Sequence, residues 1–198
     1  MKKDNDFESR RASMVDYQLV ARGIESPQVL EAMGRVAREQ FVPERMRDSA
    51  YEDGPLPIGA GQTISQPYIV ALMTEALDLQ GGERVLDIGT GSGYAAAVLG
   101  CIAGEVFSIE RVPELADRAA ATLASQGFGN VEVRCGDGTM GWPEHQPYDG
   151  IIVAAGAPAV PDSLKHQLVV GGHLVIPIGS EHGAQSLMRI TRVAEDEF

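Results

Sequence analysis

The sequence predicts an α/β fold: a doubly wound, mostly parallel sheet preceded by a helical preface. Three observations predict it. From Arg84 onward, short apolar runs of strand length alternate with helical patterns, which is the signature of parallel strands joined by crossover helices. The first of those runs, Arg84-Val-Leu-Asp-Ile88, leads directly into Gly89-x-Gly91-x-Gly93, a strand-to-helix turn of the kind that holds nucleotides. Ahead of it lie about fifty residues whose apolar positions follow helical spacing.

The elements follow in order. Residues 1–13 are polar and read as a flexible tail. Met14, Val15, Leu19 and Val20 then mark a short helix ending at Gly23, and Ser26-Pro27 supplies the N-cap and first turn of the next. Val29, Leu30, Met33 and Val36 form one face of that second helix. Phe41-Val42-Pro43 leads into a third helical stretch through Met46 and Ala50. Between Tyr51 and Gly61 the chain carries Gly54, Pro55, Pro57, Gly59 and Gly61, which is loop chemistry suited to a flap. Residues 14–66 are thus preface and flap.

The core, residues 67–198, opens with a helix over Pro67–Leu79 whose apolar side is Ile69, Val70, Met73 and Leu77. Strands are expected at Arg84–Ile88, Glu105–Ile109, Val131–Cys135, Tyr148–Ala154 and Leu174–Ile178, with helices at Tyr94–Ala103, Pro113–Ser125 and Asp162–Val169. After a turn at Gly179–Gly183, Ser186–Val193 alternates polar and apolar residues, as an antiparallel edge strand does. No internal repeat or low-complexity linker divides the chain, so residues 1–198 read as one domain.

A chain of 198 residues is long enough to bury roughly 70% of the surface its unfolded form exposes. Hydrophobic residues make up 44% of it, ordinary for a soluble globular protein. With 16 Lys and Arg against 28 Asp and Glu, the net charge of -12 repels polyanions, and no basic stripe offsets it. Nucleic acid is excluded as a partner on that ground. No apolar run approaches a membrane span, and the charged N-terminus is not followed by one, so the expected location is cytoplasmic, with no membrane partner. Cys101 and Cys135 lack ligand spacing and read as small buried residues, and the four histidines are scattered singly. No metal is expected.

The glycine turn narrows the cofactor. Gly89, Gly91 and Gly93 satisfy the start of a dinucleotide fingerprint, but the position that needs Gly or Ala for close helix packing is Tyr94. A looser GxGxG turn suits a cofactor without a pyrophosphate, and S-adenosyl-L-methionine is the commonest. Glu110 ends the second strand 21 residues after Gly89, where a carboxylate can accept both ribose hydroxyls, although it can equally be a solvated strand end. Asp137-Gly138 follows the third strand and either receives the adenine amino group or forms an ordinary turn pair. Asp87, under the turn, either holds it or reaches the methionine amine. These features at the carboxyl ends of three successive strands define a class I, Rossmann-like methyltransferase site more specifically than any one of them.

Upstream lies the octapeptide Gly61-Gln-Thr-Ile-Ser-Gln-Pro-Tyr68. Together with Val85-Leu-Asp-Ile-Gly-Thr-Gly-Ser-Gly-Tyr94, it resembles the protein-L-isoaspartate O-methyltransferase family. Phe41-Val-Pro43, Ala50-Tyr51, Leu56-Pro-Ile-Gly59, Gly136-Asp-Gly138 and Gly171-Gly-His-Leu-Val-Ile-Pro-Ile-Gly179 carry the resemblance over nearly the whole of Met14 to Gly179. It implies methyl transfer from S-adenosyl-L-methionine to the free carboxylate of L-isoaspartyl residues in damaged proteins and peptides, with S-adenosyl-L-homocysteine as product. The ester then cyclises to a succinimide and partly reopens to aspartate. It further implies that Ser65 is the catalytic residue, that Thr63 and Ile64 line the cofactor or substrate, and that Gly89, Glu110, Asp137 and Gly138 hold the cofactor. Read from residue type alone, Ser65 or Gln66 before Pro67 can also cap the following helix.

The expected protein is therefore a monomeric repair enzyme. Its rivals are a methyltransferase with another acceptor, a cofactor-binding module with weak turnover, and a nicotinamide oxidoreductase. Val153-Ala-Ala-Gly-Ala-Pro158 lacks the aromatic and amide that amine methylators place after the fourth strand. The module is suggested because the family continues past the Ser186–Val193 strand with a further strand and a Val-Arg-Phe-Val-Pro-like segment, and this sequence ends at Phe198. The oxidoreductase is disfavoured by Tyr94 and by the lack of a recognisable hydride-transfer pair.

Overall fold

In the computed structural model, which describes residues 2–179 and 185–198, the alternating runs form a six-stranded sheet. Its strands are β3 (Arg84–Ile88), β4 (Glu105–Glu110), β5 (Val131–Cys135), β6 (Tyr148–Val153), β7 (Leu168–Gly179) and β8 (Gln185–Thr191). They lie in the order β5-β4-β3-β6-β7-β8, with β1 (Leu56–Gly59) and β2 (Gln62–Ile64) as a separate two-stranded hairpin. The first five strands run parallel and β8 is the antiparallel edge, as the sequence predicts. Of the expected turn at Gly179–Gly183, residues 180–183 lie outside the described residues.

Because side chains alternate across a strand, β3 feeds two apolar layers. Val85 joins Val106, Ile152 and Val175 under the helices α2 (Pro27–Arg35), α3 (Pro67–Glu75), α4 (Tyr94–Gly100) and α5 (Pro113–Ser125), while Leu86 and Ile88 join Phe107, Ile109, Ile151 and Leu174 on the other face. Trp142, Tyr148 and Leu164, the last in the short helix α6 (Asp162–Lys165), cover that second layer. Proline at the first turn starts α2, α3 and α5 alike.

The preface is continuous with the core. Tyr94, the residue that argued against a dinucleotide turn, is buried, meets Phe41 edge-on at 5.8 Å and lies beneath the Arg38 guanidinium at 4.7 Å. A Gly or Ala there would leave the preface without its anchor.

Three expectations need correction. Residues 1–13, read as a flexible tail, lie almost entirely within helix α1 (Lys2–Met14), which continues through a π turn and a 3-10 turn to Arg22 and ends at Gly23 with φ +89°. Helix-favouring Lys, Glu, Arg and Ala supply the propensity. Phe7 packs toward Tyr51 and Arg10 donates to the Asp48 carbonyl at 2.5 Å. Second, the Gly/Pro-rich flap is not a loop but the β1–β2 hairpin, in which Leu56 and Ile58 face inward and Pro57 and Gly59 outward. Pro57 is tolerated because a two-stranded ribbon has only edges. Third, Cys135 is exposed and Cys101 only half-buried, so Cys135 is not core.

Candidate active site

Strand order reverses at β3, with β4 and β5 to one side and β6 to β8 to the other. In sheets of this kind ligands bind outside the carboxyl ends of the strands at that reversal. Gly89, Gly91 and Gly93 all occupy left-handed backbone, with φ of +94°, +54° and +88°, which residues with a Cβ rarely adopt. A side chain on Gly89 would sit 3.4 Å from the Ala154 Cβ, and one on Gly91 would sit 3.4 Å from Ile58 Cδ1 of the hairpin. Gly93 starts α4 and leaves only 3.3 Å to Leu123 on α5. The turn is therefore both a tight helix start and a bare backbone surface.

Glu110 is not a solvated strand end. It is 6% exposed, and its carboxylate accepts hydrogen bonds from the Gly91 amide at 2.8 Å and the Val112 amide at 2.9 Å. Each carboxylate oxygen retains lone pairs for further donors. Asp137 is exposed and accepts from the Thr139 amide at 2.9 Å, which holds its carboxyl below the usual range, so it serves as a turn residue in the way its type suggests. Gly138 is buried, and a Cβ there would come within 2.4 Å of Ile88 Cγ2, so the chain lies directly on the end of β3.

Asp87 holds the turn from behind. It is fully buried and accepts from Ser108 Oγ at 2.6 Å, while Ser108 lies 2.5 Å from Thr90 Oγ1. With the Ser108 proton committed to Asp87, Thr90 donates to Ser108, and the chain of hydroxyls ties β3, β4 and the glycine turn together. Desolvation, opposed by the Ser108 hydrogen bond, pushes the Asp87 carboxyl from 3.8 up to about 6. A raised folded value means the native state binds the proton more tightly. The stabilisation is complete below the unfolded value near 4 and is lost as pH rises through 6, roughly 3 kcal/mol in all. Asp87→Asn removes this term: urea unfolding of both proteins should find the variant gaining stability relative to wild type by about that amount between pH 4 and pH 7. An unchanged difference would refute the raised value.

The octapeptide forms the turn and second strand of the hairpin and enters α3. Thr63 is exposed on β2, whereas Ile64, expected at the cofactor, is 4% exposed and packs into the core. Neither Ser65 nor Gln66 caps α3 with its side chain: Gln66 occupies the cap position but donates instead to Asp53 at 2.7 Å. Ser65 is half-buried, and no described group bonds its hydroxyl, while its carbonyl accepts from Arg38 Nη2 at 2.7 Å. Arg118 of α5 donates to the Ile58 carbonyl, so the hairpin is tethered beside the glycine turn.

The structure thus brings the glycine turn, Glu110, Gly138 and the hairpin together at the carboxyl ends of β3 and β4 and sets the Asp87 carboxylate behind them. Arg38, Arg118, Thr90 and Ser108 went unread as site residues. Their partners lie between 18 and 60 positions away along the chain, apart from Ala50, 12 from Arg38, and no local pattern marks such pairs.

Bare glycine backbone, a glycine at 138 lying directly against Ile88 at the end of β3, and a loop-held carboxylate ending the second strand fit S-adenosylmethionine. Fold and site together define a class I S-adenosylmethionine-dependent methyltransferase. The chain belongs to the protein-L-isoaspartate(D-aspartate) O-methyltransferase family, whose model matches residues 9–198. It is 65% identical to Protein-L-isoaspartate O-methyltransferase 2 of Marinobacter nauticus over 199 residues, covering 100% of this chain and 91% of the relative. Among solved structures, a protein-L-isoaspartate O-methyltransferase superposes with a TM-score of 0.81 at 32% identity, over 91% of this chain and 60% of that one. A Plasmodium falciparum structure described as the same enzyme in complex with S-adenosyl-L-homocysteine gives 0.81 at 27% identity, over 93% and 91%.

Proposed function

We infer that the protein transfers a methyl group from S-adenosylmethionine to the free carboxylate of L-isoaspartyl residues in proteins and peptides, the first step of their repair. The observation that carries the reading beyond family membership is the hairpin. It seats Ile58 against the glycine turn and ends at a serine whose hydroxyl is not spent on a helix cap. Glu110 and Gly138, with the backbone of the Gly89, Gly91 and Gly93 turn, are the residues that would hold the cofactor, Asp87 supports them from behind, and Asp137 stands at the adenine end. When bound, S-adenosylmethionine supplies an electrophilic methyl on a sulfonium centre.

The acceptor needs no general base, because a carboxylate with a pKa near 4 is ionised at neutral pH. What remains for the protein is alignment, and correct placement of two reactants is worth on the order of 7–11 kcal/mol. Ser65 orients the acceptor carboxylate by donating a hydrogen bond, and the hairpin excludes water from a site in which charges are neutralised. Carboxylates on the cofactor side and the Arg38 guanidinium behind Ser65 match the signs of the two ligands.

Ser65→Ala should leave the thermal midpoint and S-adenosylhomocysteine affinity near wild type, since no cap is lost. Turnover of an isoaspartyl peptide should fall roughly 10- to 100-fold, the worth of one hydrogen bond to a charged group. Unchanged turnover removes Ser65 from the mechanism. The activity itself is tested by labelled-methyl transfer to an isoaspartyl peptide against its aspartyl twin: base-labile label in the first alone is expected, and cofactor binding without transfer to either would favour an inert module. Among the described residues no helix is long and apolar enough to cross a membrane. With a net charge of -12, we propose a cytoplasmic monomer without a nucleic-acid partner.

A further inference from the structure

One buried side chain holds both ends of the hairpin segment. Arg38 has no exposed surface, yet its Nε donates to the Ala50 carbonyl at 2.7 Å and its Nη2 to the Ser65 carbonyl at 2.7 Å. Ala50 precedes the turn at 51–55 that leads into the hairpin, and Ser65 is the first residue after it. Nη1 is buried with no partner among the described residues. The Tyr94 ring lies under the guanidinium at 4.7 Å, no carboxylate forms an ion pair with it among the described residues, and neighbouring Glu39 accepts from the Tyr51 hydroxyl.

A buried cation without a counter-ion is costly, and an apolar residue of similar volume would fill the same space more stably. What an apolar residue lacks is the rigid planar fork that reaches two carbonyls at once, which lysine also lacks. We propose that Arg38 is a positioning residue for the methyl acceptor: its guanidinium clasps the base of the hairpin between Ala50 and Ser65, fixing the Ser65 hydroxyl and the hairpin as one unit over the crevice. The proposal rests on the reading of Ser65 as the group that orients the acceptor. It concerns the acceptor side: Arg38 donates to neither the glycine turn nor Glu110, and its contact toward the turn is the Tyr94 ring beneath the guanidinium.

Arg38→Lys keeps the charge without the fork, and Arg38→Met keeps the bulk without either. Each is made in the full chain with Ser65 intact and with Ser65→Ala. The readouts are near-UV circular dichroism, calorimetric affinity for S-adenosylhomocysteine, and kcat and KM on an isoaspartyl peptide. Arg38→Lys should fold and bind S-adenosylhomocysteine within about twofold of wild type, while kcat falls roughly tenfold or more. In that background the further loss from Ser65→Ala should shrink to under about twofold, since a serine no longer held in place has little left to lose.

Unchanged kcat in Arg38→Lys, a parallel loss of S-adenosylhomocysteine affinity, losses that add fully although Ser65→Ala by itself lowers turnover, or failure of both variants to fold would each overturn the proposal, making Arg38 an ordinary core residue. Wild-type turnover in Ser65→Ala alone would sink the Ser65 reading instead. A kcat loss confined to the Arg38 variants would then still support the clasp, so the two failures are told apart.

Discussion

Glu110→Ala is expected to lose S-adenosylmethionine binding by a factor of roughly 100 to 10,000 while remaining folded, because hydrogen bonds to a charged group are worth about 1.5–3 kcal/mol each and every 1.4 kcal/mol is tenfold in affinity. Two losses are superimposed. The ribose hydroxyls assigned to this carboxylate lose their acceptor, and the amides of Gly91 and Val112, held at 2.8 and 2.9 Å, lose theirs. The second loss matters because Gly91 sits in left-handed backbone with φ +54°, and a strained turn persists only while its surroundings hold it. Glu110→Gln separates the terms. An amide offers one accepting oxygen, and its nitrogen would face one of the two backbone N–H groups, so one loop contact becomes repulsive while the other survives. Calorimetric titration with S-adenosylhomocysteine should rank wild type above the glutamine variant and that above alanine. Near-wild-type affinity in the alanine variant would remove Glu110 from the site and with it the charge argument for the cofactor side.

The sheet and the glycine turn were legible because each rests on a local signal. Parallel strands buried on both faces read as unbroken apolar runs, and Pro27, Pro67 and Pro113 each mark a first helical turn. Where the signal is not local, the reading failed. Phe7 and Met14 are seven residues apart and place only two apolar contacts on α1, too few to stand out in a polar segment. The sequence places the start of β7 at Leu174 because Gly171-Gly172 looks like a break, but the strand begins at Leu168, and Gly172 passes so close to the Asp149 carbonyl that a Cβ would lie 2.8 Å from it. The hairpin was hidden by Pro57 and its glycines. Of the site, residue types at strand ends could be named, but the sequence could not say that Asp87 spends one oxygen on Ser108, or that Ser65 is free of capping. Both depend on side-chain direction. Arg38 was least legible of all, since a charged residue beside Glu39 and Gln40 reads as surface.

Gly138→Ala tests the crevice floor by shape alone. Gly138 is not in left-handed backbone, so alanine is allowed by its dihedrals, and the whole effect comes from one methyl group placed 2.4 Å from Ile88 Cγ2. Ile88 cannot easily step aside, because a β-branched side chain is restricted at χ1 and this one is packed in the layer with Phe107, Ile109 and Val153. The Asp137–Gly138 turn must therefore move, and Asp137, proposed to stand at the adenine end, moves with it. Overpacking of this kind costs roughly 1–3 kcal/mol of stability, and S-adenosylmethionine affinity should fall by about the same free energy or more, on the order of 10- to 100-fold. Ile88→Ala in the same chain removes the clashing Cγ2. If the clash is the cause, the double variant should be destabilised by clearly less than the sum of the singles and should regain part of the affinity lost by Gly138→Ala. Additive destabilisation with no recovery would mean that the methyl acts elsewhere, and the close approach of Gly138 to β3 would then have no part in holding the cofactor.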